Sequence, residues 1–262
     1  VAISITASNA EKVYDRSTGV TGATTAPAAT LYSGTLYTNS VTGYTDALSG
    51  GTFAYTTADA GTGNKVLTVS GVSILNDSTS AASNYTITYV NNTTSTITAA
   101  PVTISGLSAS NKTYDTTTTA VLTGTPTAAG VLSGDTVTVS GSATAGTFAS
   151  ANVATGIAVT ADLSGLTLSN SNYTISGVTS ALSANITAAS ITIDGLSASN
   201  KTYDRTRDAV ITGTPTPAGV LGSDSVVIIG TPTAGTFASQ NVANGIAVTA
   251  DLSGLTLSNS NY

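Results

Sequence analysis

Cysteine, histidine, methionine and tryptophan are absent from the chain, Glu11 is its only glutamate, and lysine and arginine together number seven in 262 residues. Without cysteine or histidine there is no zinc, haem, iron–sulfur or thiol site, and no Ser–His or Cys–His dyad. Disulfides are excluded as well, so each domain has to rest on packing and ladder hydrogen bonds, or on some other crosslink. The thirteen acidic residues give a net charge of −6. Because nucleic-acid affinity is built mainly from Lys and Arg, a phosphate-binding surface is excluded. No run of about 18 apolar residues is present. Three phenylalanines and no tryptophan do not furnish the aromatic girdles of a transmembrane barrel, so membrane insertion is not expected. With one Glu and no Asp pair that the sequence places across a cleft, the chain is not read as an enzyme.

What replaces the charge is Thr, Ser, Ala and Gly, with Thr at about one residue in five, far above ordinary usage. Thr is β-branched and suits a pleated, half-buried face, and its hydroxyl keeps a surface soluble without ions. A mean hydropathy of +0.25 with 8% charged residues argues against disorder. The chain opens at Val1 with no initiator Met and no basic or apolar leader, and is read as an internal piece of a longer chain.

Internal repetition organises the whole sequence. The stretch from Ile104 to Tyr173 returns almost letter for letter from Ile193 to Tyr262, carrying GLSASNKTYD, TGTPT, AGTFAS and GIAVTADLSGLTLSNSNY. Tyr114 and Tyr203, Phe148 and Phe237, and Tyr173 and Tyr262 are each 89 residues apart. The first hundred residues hold a diverged copy: Ile5–Asp15 matches ISGLSASNKTYD, Gly51–Phe53 matches GTF, and Ser83–Tyr89 matches SNYTIS. Insertions around Leu31–Leu48 and Asp59–Asp77 lengthen it. A period near 90 exceeds the roughly 20–45 residues of a solenoid coil and equals one small domain. Three tandem domains follow, residues 1–100, 101–189 and 190–262, joined near Ala99–Pro101 and Ala188–Ser190.

Within the second copy, strand signals fall at Val102–Ser105, Ala120–Thr123, Thr136–Ser140, Gly156–Ala161, Leu166–Leu168, Tyr173–Ser176 and Ala184–Thr187. Gly, Asn, Asp and Ser clusters punctuate them, and no helical stripe occurs. About seven short strands per copy predict an all-β fold: tandem Ig-like β-sandwich domains in an elongated array. Asn172-Tyr173 reads as a tyrosine corner, its ring packed and its hydroxyl bonded to backbone. The third copy lacks the TISGVTSALSANITA that follows Tyr173, so it is missing its final strands and presents an unpaired edge.

Three motifs recur in order. Lys12/Tyr14/Asp15, Lys112/Tyr114/Asp115 and Lys201/Tyr203/Asp204 open the copies. Val66–Gly71, Ile157–Leu168 and Ile246–Leu257 form the central segment. Asn84-Tyr85, Asn172-Tyr173 and Asn261-Tyr262 come near the end, followed by Ser95–Ala99 and Ala184–Ala188 in the first two copies. Nearly the whole chain thus resembles the YDG-type repeats of large bacterial surface adhesins, repetitive proteins of the filamentous-haemagglutinin-like kind. One departure is consistent: the motif glycine is Arg16, Thr116 and Arg205, so its tight turn is expected to differ, since non-Gly residues resist positive φ. The resemblance implies a stalk or spacer on the bacterial cell surface, extracellular, serving adhesion or biofilm formation. Its implied partners are further copies of the repeat in a longer chain and a host or matrix glycan or protein at a distal region.

The residues also suggest chemistry. Lys112 and Lys201 are the only lysines of their copies. Beside Asp, such a lysine fixes the opening loop; buried and neutral, its amine could instead attack an Asn side chain to form an isopeptide crosslink. Lys112, Asn172, Asp115 and Asp162 are the components, repeated as Lys201, Asn261, Asp204 and Asp251. No cofactor is expected. Among metals only calcium suits the available oxygens, with Asp135, Asp162, Asp224 and Asp251 beside turns, although no D-x-D-x-D-G loop is present. Tyr32, Tyr37, Tyr44 and Tyr55 concentrate in the first copy, either as core and edge packing or, where exposed, as contacts that make it the candidate carbohydrate- or protein-binding module. The open third copy is the candidate for self-association into a filament.

Overall fold

The alternation of β-branched and small polar residues is realised as strands throughout, and the protein is all-β. The computed structural model describes residues 1–76 and 79–262. Asp77, which closes the second insertion of the first copy, lies outside the described residues. The chain divides into two compact units. The first comprises Val1–Gly106, Pro126–Ser142 and Gly165–Thr179; the second comprises Leu107–Thr125, Ala143–Ser164 and Ser180–Tyr262. Residues of the middle copy therefore contribute to both.

In the first unit, strand Ala2–Ala7 turns Ile3, Ile5 and Ala7 inward with the period of two that a pleated strand imposes. It pairs antiparallel with Ala29–Ser33 and parallel with Thr86–Tyr89. A second sheet runs in the order Glu11–Val13, Asn92–Thr98, Gly61–Ser70, Thr52–Tyr55, its first pair parallel. Ile3 and Ile5 from one sheet meet Leu67, Val69 and Ile97 from the other in a single core, which is a β-sandwich. Strand Ala100–Ala109, which opens the middle copy, adds Ala100 and Val102 and runs parallel to Tyr173–Val178, and Tyr173 joins the same core. These parallel pairings depart from the two antiparallel sheets expected of an Ig-like sandwich.

In the second unit, Lys112–Thr113 lies parallel to Leu182–Thr187, which continues antiparallel through Ala154–Ala161 and Ala145–Phe148 to Thr119–Val121. Leu122, Phe148, Val159 and Ile186 form the core beneath. The third copy supplies a sheet in the order Thr192–Ala198, Asp208–Ala218, Ala234–Phe237, Val248–Ala250. Among the described residues, no strand pairs with the outer edge of Thr192–Ala198, and Ile191 and Ile193 are only half-buried, whereas their counterparts Val102 and Ile104 are buried in the first unit. A groove of about 410 Å³ results, of mixed polarity, whose lining includes Ser190, Ile191, Ile193, Leu252, Leu255 and Tyr262.

Two local expectations are corrected. The strand expected over Thr136–Ser140 is shifted to Val139–Gly141, and the AGTF segment, outside the expected strands, is strand Ala145–Phe148. Gly146 is required there because a Cβ would come within 2.8 Å of the Thr160 carbonyl oxygen. This strand also realigns the first copy. Tyr55, whose N–H bonds the Thr18 carbonyl as that of Phe148 bonds Thr118, is the counterpart of Phe148, and Phe53 is not.

Candidate functional site

Each motif lysine closes a short loop on itself. Lys12 Nζ lies 2.6 Å from Asp15 Oδ1, 2.7 Å from the Ser17 carbonyl and 2.9 Å from that of Gly19. Lys112 reaches Asp115 and the Thr117 carbonyl, each at 2.7 Å, and Lys201 reaches Asp204 at 2.8 Å and Thr206 at 2.9 Å. In all three copies the same Asp Oδ1 accepts the backbone N–H of the hydroxyl residue two positions on, at 2.9 Å. Sequence reasoning missed Ser17, Thr117 and Thr206, although a hydroxyl residue two after each Asp was there to be noticed. Above each ammonium lies an aromatic face, Tyr55, Phe148 or Phe237, at 5.5–5.8 Å. Lys12 is only 1% exposed.

These bonds set the charge of the loop. The Lys201 ammonium, aided by the Thr206 N–H, holds the Asp204 carboxyl at about 2. At Asp115 the Lys112 hydrogen bond likewise leads and outweighs desolvation, keeping that carboxyl below the usual range. Desolvation is the largest single influence on Asp15 and raises it, but the bonds from Lys12 and Ser17 together carry it below its ordinary value.

The turn that follows keeps its left-handed backbone in spite of the missing glycine. Arg16, Thr116 and Arg205 have φ of 69°, 68° and 65°, and are the positive-φ non-glycine residues among those described. The expectation of a different turn is overturned: the Lys–Asp–hydroxyl loop fixes the conformation, and the side chain tolerates it.

In the first two copies the motif tyrosine points away from this loop and into the following copy. Within the first unit, Tyr14 Oη donates to Asp135 Oδ2 at 2.9 Å, and Tyr173 Oη donates to the same oxygen at 2.7 Å. Tyr173 Oη also accepts the Leu132 N–H at 3.2 Å, the backbone bond expected of a tyrosine corner. The two rings meet edge to face, 5.5 Å between centroids. Arg16 Nε adds an ion pair to Asp135 Oδ1 at 3.0 Å, and its Nη1 donates to the Ser133 carbonyl. Within the second unit the same geometry recurs. Tyr114 and Tyr262 donate to Asp224 Oδ2 at 2.7 and 2.9 Å, the Leu221 N–H donates to Tyr262 Oη at 2.9 Å, and the rings are 5.6 Å apart.

The asparagine before each tyrosine clamps the preceding copy. Asn172 Oδ1 accepts the Ala60 N–H at 2.7 Å and its Nδ2 donates to Asp59 Oδ1 at 3.1 Å. Asn261 does the same with the Val153 N–H, at 2.9 Å, and with Asn152 Oδ1, at 3.2 Å. The first copy holds the aspartate–tyrosine half of this joint: Tyr85 Oη donates to Asp46 Oδ2 at 2.6 Å and accepts the Tyr37 N–H at 2.8 Å.

Burial and hydroxyl bonding shift Asp135 and the four tyrosines of the two joints. The Tyr173 hydroxyl, with Tyr14 and Arg16 behind it, overcomes desolvation and holds the Asp135 carboxyl below its ordinary value. Desolvation pushes the Tyr14, Tyr173 and Tyr262 phenols up, and at Tyr114 the bond to Asp224 leads.

The isopeptide expectation is corrected on the same geometry. Lys112 and Asp115 meet, but the Asn172 amide is engaged by Ala60 and Asp59, and Asp162 caps the Ser164 N–H. In the third copy Lys201 holds Asp204 and Thr206, while Asn261 holds Val153 and Asn152 and Asp251 caps Ser253. The amine and the amide it would attack have separate partners, the lysine in an ion pair with the motif aspartate and the asparagine on the preceding copy. Calcium fares no better: Asp135 and Asp224 accept tyrosine hydroxyls, and among the described residues no three acidic groups gather. Among the described residues Tyr203 makes no such joint, and it is 53% exposed against 7% for Tyr14 and 6% for Tyr114.

The family model for the YDG domain matches residues 1–95, 98–181 and 187–262. No curated protein and no solved structure matches the chain.

Proposed function

The chain belongs to the YDG domain family, with three successive repeats, and from this premise we propose that it is a spacer segment of a bacterial cell-surface adhesin. Its work is mechanical: it holds a distal binding region away from the cell, outside it, in the service of adhesion or biofilm formation. The observation that supports this reading is the joint between successive copies, made twice with the same atoms, Tyr14–Asp135–Tyr173 and Tyr114–Asp224–Tyr262. A joint repeated in kind suits a part whose value lies in length and stiffness. Hydroxyl–carboxylate bonds to a carboxylate shielded by two rings resist hinge motion better than a flexible linker does. Small-angle scattering by the full chain tests the proposal. Three such domains in a row are expected to span on the order of 100 Å, and a maximum dimension typical of one compact globule of this mass sinks the spacer reading.

A second reading has its own support. Tyr32, Tyr37 and Tyr44 of the first copy are all exposed, and exposed tyrosine is a common contact for sugars and proteins. In this reading the first copy is a carbohydrate- or protein-binding module. Reproducible binding of the full chain on a glycan array, lost on Tyr37→Ala or Tyr44→Ala, favours it over a spacer alone.

A further inference from the structure

The third copy repeats the motif half of the joint, but its partners differ. Tyr203 and Arg205 occupy the positions that Tyr14 and Arg16 hold in the first copy, with the same left-handed turn and the same lysine–aspartate loop. Val242, the counterpart of Val153 whose N–H the Asn261 side chain holds, is 84% exposed. We propose that Tyr203, Arg205 and the Asn241–Val242 loop form a docking surface for a further YDG repeat, whose aspartate turn and Asn–Tyr corner complete the joint.

The occupant is specified by chemistry that the chain displays twice. Tyr203 Oη needs a carboxylate oxygen that already accepts a second phenol, as Asp135 accepts Tyr173 and Asp224 accepts Tyr262. The Tyr203 ring needs an edge-to-face aromatic partner. The Val242 N–H needs the side-chain oxygen of an asparagine that directly precedes that aromatic residue. Arg205 brings a positive charge to where the carboxylate will sit, as Arg16 does to Asp135. A joint made at this surface therefore resembles the first, with its ion pair, more than the second, in which Thr116 stands at that position. The inference shares with the spacer reading the premise that YDG repeats join head to tail, but it does not depend on a role at the cell surface.

Two lengthened chains test it. One carries a copy of Thr174–Ala189 after Tyr262, which restores the final strands of the third repeat. The other carries a copy of Thr174–Tyr262, which restores them and adds a further repeat as far as its Asn–Tyr corner. Nitration of individual tyrosines by tetranitromethane, read by peptide mass mapping, reports access to each phenol. Tyr203 is expected to react freely in the short extension and to be protected to the level of Tyr14 and Tyr114 in the long one. Replacing the added repeat's counterpart of Asp224 by Ala is expected to restore its reactivity, with Tyr14 still protected as the control for folding, and Arg205→Ala to restore it in part. Protection already complete in the short extension, reactivity retained in the long one, or indifference to the aspartate each overturns the proposal. Scattering by the long chain reads the spacer claim separately: a protected Tyr203 with no gain in maximum dimension defeats the spacer and leaves the docking surface standing.

Discussion

Lys12 reaches the oxygens of Asp15, Ser17 and Gly19 from a position that water barely touches, whereas the side chain of Lys201, in the same loop, is 26% exposed. Removing the buried ammonium strands two carbonyls and an aspartate that its charge balances. Lys12→Met is accordingly expected to destabilise the protein by about 3 kcal/mol. Lys201→Met should cost much less, because solvent takes over at an open site. Urea denaturation midpoints of the two variants check the difference. The lysine–aspartate pair was legible from its spacing of three residues. Asp135 and Asp224 were visible only as turn residues, because the phenols they accept from the preceding copy lie 121 and 110 residues away. No local pattern encodes such a pairing, although each aspartate precedes the tyrosine of its own copy by 38 residues, a regularity that could have been noticed.

Among the elements, the turn after each Tyr–Asp pair is the most constrained. A β-branched residue at φ 68° costs roughly 1–2 kcal/mol, and at Thr116 no ion pair offsets it. Thr116→Gly restores the family's residue and is expected to stabilise the protein by about 0.5–1 kcal/mol after the added freedom of the unfolded chain is counted. Arg16→Gly should bring no such gain, since it gives up the bonds to Asp135 and Ser133. Thermal melts of the two variants distinguish the cases. Strand positions were readable wherever apolar and hydroxyl residues alternate, as in Ala154–Ala161. They were not readable where Gly146 interrupts the pattern to admit the Thr160 backbone. The parallel pairing of Ala2–Ala7 with Thr86–Tyr89 was beyond reach for another reason: strand direction within a sheet is decided by the path of the chain, and alternation carries no sign of it.

For the molecule as a whole, the second and third copies were plain from their 89-residue offset and the first from its recurring motifs, but the division into compact units was not, because those units share the middle copy between them. The shifts within the joints give stability a window in pH. Asp135 binds its proton less readily when folded, so its contribution is complete above the ordinary carboxylate value of 3.8 and is lost as the pH falls through its lower folded one. Tyr14, Tyr114, Tyr173 and Tyr262 hold their protons more tightly when folded, so theirs is complete below 10.0 and is lost as the pH rises through the elevated folded values. The melting temperature is therefore expected to be flat from about pH 4 to 10 and to fall on both sides. Tyr14→Phe should make the alkaline decline shallower.

The presence of threonine at 116, where the first copy has arginine, has an environmental consequence. The joint at Asp224 is fastened by phenols and its neighbour at Asp135 partly by opposite charges, and dissolved ions weaken only attraction of the latter kind. Moved from fresh water to brine, the joint at Asp224 keeps its grip while the one at Asp135 slackens.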